Sequence, residues 1–391
     1  MKGRDSQPHI GIFGKRNNGK SSLINQLTGQ DIAIVSDTPG TTTDPVKKSI
    51  EIFGIGPTVI VDTPGIDDIG ELGKKRVQKT NEVLKTIDLA IIVLTDYELG
   101  EYETHLIEKL HSYETPYILV NNKSDLKLNA LKTETKGEKV ISVSAHTGFG
   151  IQDLINEMIE KMPSTAYISH SLLEGIISKG DQVLLITPID SEAPEGRMIL
   201  PQVQMLRDVL DNDGVAIFIK EDRITDYLEN NTAPKLVITD SQVFNKISSQ
   251  IPNEIPFTSF SIVLAHHKGD FENYLIGTPQ IENLQEDDHI LILESCTHLT
   301  SCEDIGRFKI PRWLQEYTHK KLHFTVVPGL EDIKDYSKYK LVIQCGGCMI
   351  TRKQILNRLK PAIEHNIPVT NYGMLIAYMS GIFNRATSVF R

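Results

Sequence analysis

Gly14-Lys15-Arg16-Asn17-Asn18-Gly19-Lys20-Ser21 fits the pattern G-x-x-x-x-G-K-[ST], whose chemistry is the binding of nucleotide phosphates. Its glycines let the backbone wrap close to phosphate oxygens, and its amide N–H groups and the following helix N-terminus stabilise the anion. Lys20 reaches the β- and γ-phosphates and Ser21 can ligate Mg²⁺, so Asn17, Asn18, Gly19, Lys20, Ser21 and Ser22 are the phosphate-side candidates. The apolar run Val59-Ile60-Val61 ends in Asp62-Thr63-Pro64-Gly65, where Asp62 can hold Mg²⁺ through water and the Gly65 amide can sense the γ-phosphate. A second chemistry lies near the other end. The only cysteines are Cys296, Cys302, Cys345 and Cys348, and two stretches carry the motif-like ones: Cys296-Thr297-His298 and, further on, Cys345-Gly346-Gly347-Cys348. Thiolates at adjacent strand ends and a C-x-x-C turn can converge on one metal centre, with the glycines allowing a tight turn. Four cysteines admit a zinc site and three admit an iron–sulfur cluster with an exchangeable iron; spacing alone leaves both open.

Asn122-Lys123-Ser124-Asp125 resembles the guanine-recognition motif of translation-factor-class GTPases, which implies that Asp125 accepts from the guanine ring N–H and exocyclic amine. Ser144-Ala145 matches that class's remaining base-contacting loop, and the order of the motifs favours GTP over ATP. The stretch Asp37-Thr38-Pro39-Gly40-Thr41-Thr42-Thr43-Asp44 resembles switch I of the subgroup that includes MnmE and Era. That resemblance assigns Thr42 to Mg²⁺, beside Ser21, and makes Lys20, Thr42 and Asp62 the catalytic candidates. It also places Asn17 where the subgroup binds a K⁺ ion that stands in for an arginine finger. Ile66 occupies the position of the water-orienting Gln of Ras-like proteins, and an apolar side chain cannot orient water, so unaided hydrolysis is expected to be slow.

The elements that must position these residues read as an α/β protein. Strands over 9–13, 58–62, 89–94, 117–121 and 139–143 alternate with helical patterns, and a helix over 151–161 with a clear apolar stripe precedes Pro163. The fold class expected is an N-terminal P-loop GTPase domain with a mostly parallel sheet over 1–165, followed by two smaller α/β domains over 175–270 and 275–391. In the middle domain, strands are expected over 182–186, 215–219 and 235–239, and one helix over 262–276. The last domain places strands over 289–293, 322–327 and 340–344, so that Cys296 and Cys345 follow strand carboxyl ends, where open α/β sheets collect ligands.

Composition limits the function classes. The 391 residues carry a formal charge of −10, with 40% hydrophobic and 24% charged residues, which fits two or three domains with real cores rather than a disordered chain. The acidic balance argues against nucleic acid as the main partner. The longest apolar runs, 89–94 and 290–293, fall far short of the roughly 18 residues of a membrane span, and the polar N-terminus has no signal-peptide core, so a cytoplasmic protein without a membrane partner is expected.

With both chemistries in view, the whole chain resembles the HydF family of FeFe-hydrogenase maturation GTPases, whose C-terminal domain carries a C-x-H…H-C-x-x-C signature. The resemblance implies a middle dimerisation domain and a 4Fe-4S cluster held by Cys296, Cys345 and Cys348. Gln344 stands where many relatives have His, which leaves water, His298 or Glu303 for the fourth position, while Cys302 lies outside the signature and reads as a small buried thiol. The family's role would make the chain a homodimeric scaffold and carrier that delivers a diiron precursor to the FeFe-hydrogenase apoprotein, with the radical-SAM maturases of that pathway as further partners. The rival reading is an RNA-modification or ribosome-assembly GTPase with a structural zinc.

Overall fold

Alternation along β1 (His9–Phe13) organises the first unit: Ile10 and Ile12 enter the core on one face of the sheet, and Phe13 the core on the other. The computed structural model describes residues 7–28, 46–52, 54–63, 79–126, 131–163, 166, 171–188, 198–295, 304–329, 331, 333, 335–348 and 350–391. The chain divides into two units, Met1–Ser169 and His170–Arg391.

In the first unit β1 lies between β3 (Gly56–Asp62) and β4 (Leu89–Leu94), followed by β5 (Tyr117–Asn121) and β7 (Glu138–Ser142), all parallel. β2 (Val46–Ile52) and the two-residue β6 (Glu134–Thr135) add antiparallel edges. Every residue of β4 is buried, as expected of a central parallel strand covered on both faces, and each such Ile or Leu contributes about 1.5–3 kcal/mol. α1 (Lys20–Thr28) and α3 (Ile151–Lys161) cover one face through Leu23, Ile24, Leu154 and Met158; α2 (Glu101–Ser112) covers the other through Leu106 and Leu110. β2 is absent from the sequence expectation because V-K-K-S-I-E-I is an edge strand, with Ile50 and Ile52 buried while Lys47 and Glu51 face water.

The second unit holds two four-stranded parallel sheets. One has the order β11-β10-β8-β9, from β8 (Gln182–Ile186), β9 (Val215–Ile219), β10 (Leu236–Thr239) and β11 (Phe257–Ser259). The other has the order β13-β12-β14-β15, from β12 (His289–Leu293), β13 (His323–Val327), β14 (Tyr339–Gln344) and β15 (Val369–Asn371). The two domains expected over 175–270 and 275–391 form one compact unit, His170–Arg391, whose two sheets share a core: Leu184, Ile186 and Val237 come from the first and Leu291, Leu293 and Val342 from the second. α4 (Leu200–Asp211) packs on β9. The single helix expected over 262–276 is two, α5 (Phe260–Lys268) and α6 (Phe271–Gly277). They part at Gly269, where a Cβ would lie 2.3 Å from the Tyr274 ring, and Asp270 restarts the helix by accepting from the Asn273 amide at 3.3 Å. α7 (Arg352–Glu364), opened by a Thr351–Gln354 capping box, and α8 (Tyr372–Met379) complete the elements around the cysteine turn.

Candidate functional site

The phosphate loop joins β1 to α1, and its backbone is shaped by close approach. Gly14 has φ +144° and a Cβ there would lie 2.4 Å from the Val93 carbonyl oxygen; Gly19 has φ +83° and a Cβ would lie 2.3 Å from Asn122 Nδ2. Neither position tolerates a side chain. Asn17, between them, also takes a left-handed conformation, φ 62°. Lys20 is buried, and its Nζ donates to the Gly14 and Lys15 carbonyls at 2.9 and 3.0 Å, which folds the ammonium back over the loop. Ser21 and Ser22 follow on the first turn of α1. The Asn18 side chain is committed to β4: its Nδ2 donates to the Val93 carbonyl at 2.7 Å, and its Oδ1 accepts from Thr95 Oγ1 at 3.3 Å. Asp62, the last residue of β3, has its carboxyl raised above the usual range by burial, with Lys20 and Lys48 pulling the other way. A cation at this carboxylate would relieve the same penalty. Thr42, Gly65 and Ile66 lie outside the described residues.

The base-side motifs meet the phosphate loop through Asn122. Its Nδ2 donates to the Asn18 carbonyl at 3.0 Å and its Oδ1 accepts from the Ala145 amide at 3.0 Å, so one buried side chain ties three loops. Lys123 has φ 61°, and Ser124 is pinned by its hydroxyl, which donates to the Val143 carbonyl at 2.6 Å. Ser144 Oγ donates to Asp125 Oδ1 at 2.6 Å, which fixes the carboxylate that base recognition requires.

Two supports have no sequence motif. After β4, Asp96 and Tyr97 are consecutive left-handed residues, φ 56° and 59°; the Tyr97 amide donates to Asn121 Oδ1 at 2.8 Å, and its hydroxyl meets Ser142 Oγ at 2.7 Å. Glu103, fully buried, accepts from the Gly100 amide at 3.0 Å and stands 3.9 Å from Lys15 Nζ of the phosphate loop. Neither residue type marks such a role in advance.

The cysteine turn lies in the second unit. β12 and β14 are paired in register to Leu293 and Gln344, and the Cys345 amide donates to the Leu293 carbonyl at 3.0 Å. Ser295, at the end of the segment after β12, therefore lies beside Cys345, whose thiol donates to Ser295 Oγ at 2.7 Å. Burial raises the Cys345 thiol; once the thiol is ionised the Ser295 hydroxyl can turn to donate to it, and this, the Gly347 amide and the charge of Arg358 oppose the rise. Gly347 has φ +70°, and a Cβ there would lie 2.4 Å from Ile355 Cδ1, so only glycine closes this turn. Cys345 and Cys348 are half-buried thiols outside any disulfide. Gln344 is fully buried, and its Nε2 donates to Ser295 Oγ at 3.0 Å and to Cys345 Sγ at 3.6 Å; it lies beside the sulfur as a donor where a histidine ligand would have stood. Two thiols on a glycine turn, amide donors to sulfur and a nearby guanidinium form a donor set that fits thiolate coordination of a metal centre, zinc or iron–sulfur alike. The remaining candidates, Cys296, His298, Cys302 and Glu303, lie outside the described residues, and no group of three or more metal-binding side chains occurs among the described ones.

Comparison with known proteins separates the two units. Residues 9–123 match the family model of the 50S ribosome-binding GTPase. The tRNA modification GTPase MnmE of Aquifex aeolicus (strain VF5) is 33% identical over 182 residues, 45% of this chain and 40% of that protein. MnmE of Heliobacterium modesticaldum is 40% identical over 159 residues, 39% of this chain and 33% of that protein. The chain thus spans two fifths or less of these relatives. Among solved structures, a point variant of Aquifex aeolicus Era bound to GDP.AlF4⁻ aligns with a TM-score of 0.36 at 18% identity, covering 55% of this chain and 93% of that one. The G domain of the T. maritima FeoB iron transporter aligns at 0.31 and 23% identity, covering 40% of this chain and 98% of that one. The second unit matches two models of a different origin: the hydrogen maturase F dimerization domain over 172–269 and the hydrogen maturase F tetramerization domain over 272–389. With both matched in order behind a GTPase domain, and together spanning more than half of its length, the chain belongs to the hydrogen maturase F family, HydF.

Proposed function

We propose that the protein is a GTP-hydrolysing scaffold and carrier of FeFe-hydrogenase maturation, which holds a 4Fe-4S cluster in its second unit and passes a diiron precursor to the hydrogenase apoprotein. The observation that carries this reading is the placement of the Cys345–Cys348 turn beside the end of β12, within a segment matched to the hydrogen maturase F tetramerization domain. Cys296, Cys345 and Cys348 would hold the cluster, with His298, Glu303 or water at the fourth position. When bound, the cluster supplies an iron site with one exchangeable position. The chain's part is to keep two thiols on a rigid glycine turn and to direct Gln344 Nε2 at the Cys345 sulfur.

In the GTPase unit, Asp125 would accept the guanine N–H groups, with its second partner Ser144 keeping the carboxylate oriented. Lys20 would exchange its carbonyl contacts for phosphate oxygens, while Ser21, Thr42 and the buried Asp62 serve Mg²⁺, Thr42 and Ser21 directly and Asp62 through water. Asn17 would bind K⁺. Hydrolysis would then be slow and K⁺-stimulated, and would control partner exchange with the apoprotein and the radical-SAM maturases. The dimerization and tetramerization models support an oligomer, and a homodimer through the first of them would use exposed Val203 and Leu210 on α4 and Val215 on the open sheet edge β9. No helix among the described residues is long and apolar enough to cross a membrane, and the site is read as working in the cytoplasm.

Anaerobic purification with iron, sulfide and zinc analysis tests the reading. Iron and acid-labile sulfide in a brown protein support it; zinc alone in a colourless one favours an RNA-modification or ribosome-assembly GTPase with a structural zinc.

A further inference from the structure

β5 and β7 end on a registered pair: Asn121, the last residue of β5, lies opposite Ser142, the last residue of β7. Each strand then feeds one base-side loop. Asn121 is followed directly by Asn122-Lys123-Ser124-Asp125, and Ser142 stands two residues before Ser144, whose hydroxyl holds the Asp125 carboxylate at 2.6 Å. Tyr97, in the turn after β4, engages both members of the pair. Its amide donates to the buried Asn121 side chain, at Oδ1, over 2.8 Å, and its hydroxyl lies 2.7 Å from Ser142 Oγ.

The bonds around that hydroxyl form a closed ring. The Lys132 amide donates to Tyr97 Oη at 2.9 Å and Ser142 Oγ donates to the Lys132 carbonyl at 3.1 Å, which leaves the Tyr97 hydroxyl proton for Ser142. Thr135 Oγ1 donates to the Tyr97 carbonyl at 2.9 Å and Lys136 Nζ to the Leu99 carbonyl at 2.7 Å, so the β6–β7 hairpin clasps the turn along its length. The phenol ring packs against the apolar core of this face. Asp96 and Tyr97 both take the left-handed backbone, φ 56° and 59°. Residues with side chains seldom do so twice in succession, and such a conformation persists only where the surroundings over-determine it. Here it brings an amide and a hydroxyl of one residue onto the same Asn121–Ser142 pair.

We propose that Tyr97 is a positioning residue for guanine selectivity: by fixing the ends of β5 and β7 against each other it sets the seat of Asp125, and with it the discrimination of guanine from other purines. This rests on the base-recognition reading of Asp125 above. Tyr97 acts through Asn121 and Ser142 rather than on the nucleotide. A hydrogen bond weakens steeply as its angle departs from linearity, so a displaced Asp125 loses its hold on the guanine ring N–H and exocyclic amine while the phosphate contacts stay in place.

The experiment measures the affinity of the full chain for GDP and for IDP, which lacks the exocyclic amine, in wild type, Tyr97→Phe, Ser142→Ala, the double variant and Asp125→Asn. Tyr97→Phe keeps the ring and the amide bond to Asn121 and removes only the hydroxyl. Tyr97→Phe and Ser142→Ala are each expected to lower the preference for GDP over IDP by roughly 3- to 10-fold, the scale of one hydrogen bond, with IDP affinity little changed. The double variant should be no worse than Ser142→Ala alone, because both substitutions break the same bond. A general loosening of the fold would weaken both nucleotides equally. An unchanged preference in Tyr97→Phe, or losses that add in the double variant, would overturn the inference while Asp125→Asn still loses the preference. Should Tyr97→Phe not fold, Ser142→Ala decides alone: a lowered preference supports the role and an unchanged one contradicts it. A wild-type chain that binds GDP and IDP alike, or an Asp125→Asn chain with the wild-type preference, would overturn the base-recognition reading and the inference with it.

Discussion

Asn122 Nδ2 donates to the carbonyl oxygen of Asn18 at 3.0 Å, so the base loop and the phosphate loop, 104 residues apart in sequence, are held by one buried amide. The same amide accepts from the Ala145 backbone, so loss of the side chain removes a partner from the Asn18 carbonyl and from the Ala145 N–H at once. Asn122→Ala is expected to weaken guanine-nucleotide affinity and raise the GDP release rate together, measured with a fluorescent nucleotide. Asp125→Asn should weaken GTP binding by roughly 10- to 150-fold, the equivalent of about 1.5–3 kcal/mol for a charge-assisted bond. Unchanged GTP affinity in Asp125→Asn would remove the base-recognition role.

The K⁺ assignment rests on Asn17, which takes φ 62° at the outer bend of the phosphate loop. GTP hydrolysis by the full chain should be faster in KCl than in NaCl at equal ionic strength, and Asn17→Ala should lose that difference while keeping GTP affinity. Equal rates in the two salts would contradict it.

Gly347 bears a left-handed backbone and no room for a methyl group. Gly347→Ala is expected to destabilise the second unit by about 1–3 kcal/mol from the backbone alone, with the clash against Ile355 adding to it. Ile355→Val in the same chain removes the nearest carbon and should recover part of the loss. Chemical denaturation of the metal-free protein measures both, and a Gly347→Ala chain as stable as wild type would show that the turn is not held as described.

His266 stacks on Phe390 with ring centroids 4.5 Å apart and meets Phe271 edge-on. Burial, and secondarily Arg352, lowers its affinity for a proton below the ordinary histidine range. The folded state therefore prefers the neutral ring. Its contribution is fully present above the unfolded value near 6.5 and is lost as pH falls from there through the lower folded value. Thermal unfolding of the second unit should show this decline below neutrality, and His266→Phe should flatten it; an identical pH slope in the variant would exclude His266 as its source.

The strands that carry chemistry were legible because they are buried on both faces: 89–94 and 117–121 read as apolar runs and coincide with β4 and β5. β2 was not, since an edge strand hides its two buried isoleucines among charges, and β11 and β15 are three residues each, too short for a periodic signal. The break at Gly269 depends on the Tyr274 ring, a tertiary contact that helical periodicity over 262–276 cannot register. At the sites, motif residues such as Asn122 and Cys345 were legible by type and spacing. Tyr97 and Glu103 were not, because their roles come from partners that only the fold brings beside them, Asn121 and Ser142 for Tyr97 and the Gly100 amide for Glu103.

Cluster binding at the cysteine turn is read most directly from iron and acid-labile sulfide per chain in anaerobically reconstituted wild type, Cys296→Ser, Cys345→Ser, Cys348→Ser and Cys302→Ser. Iron and sulfide in equal amounts, with the visible absorbance of a cluster, are expected in wild type and Cys302→Ser, and loss of both in the other three. A wild-type chain that binds zinc alone, or a Cys345→Ser chain with an undiminished cluster, would contradict the assignment.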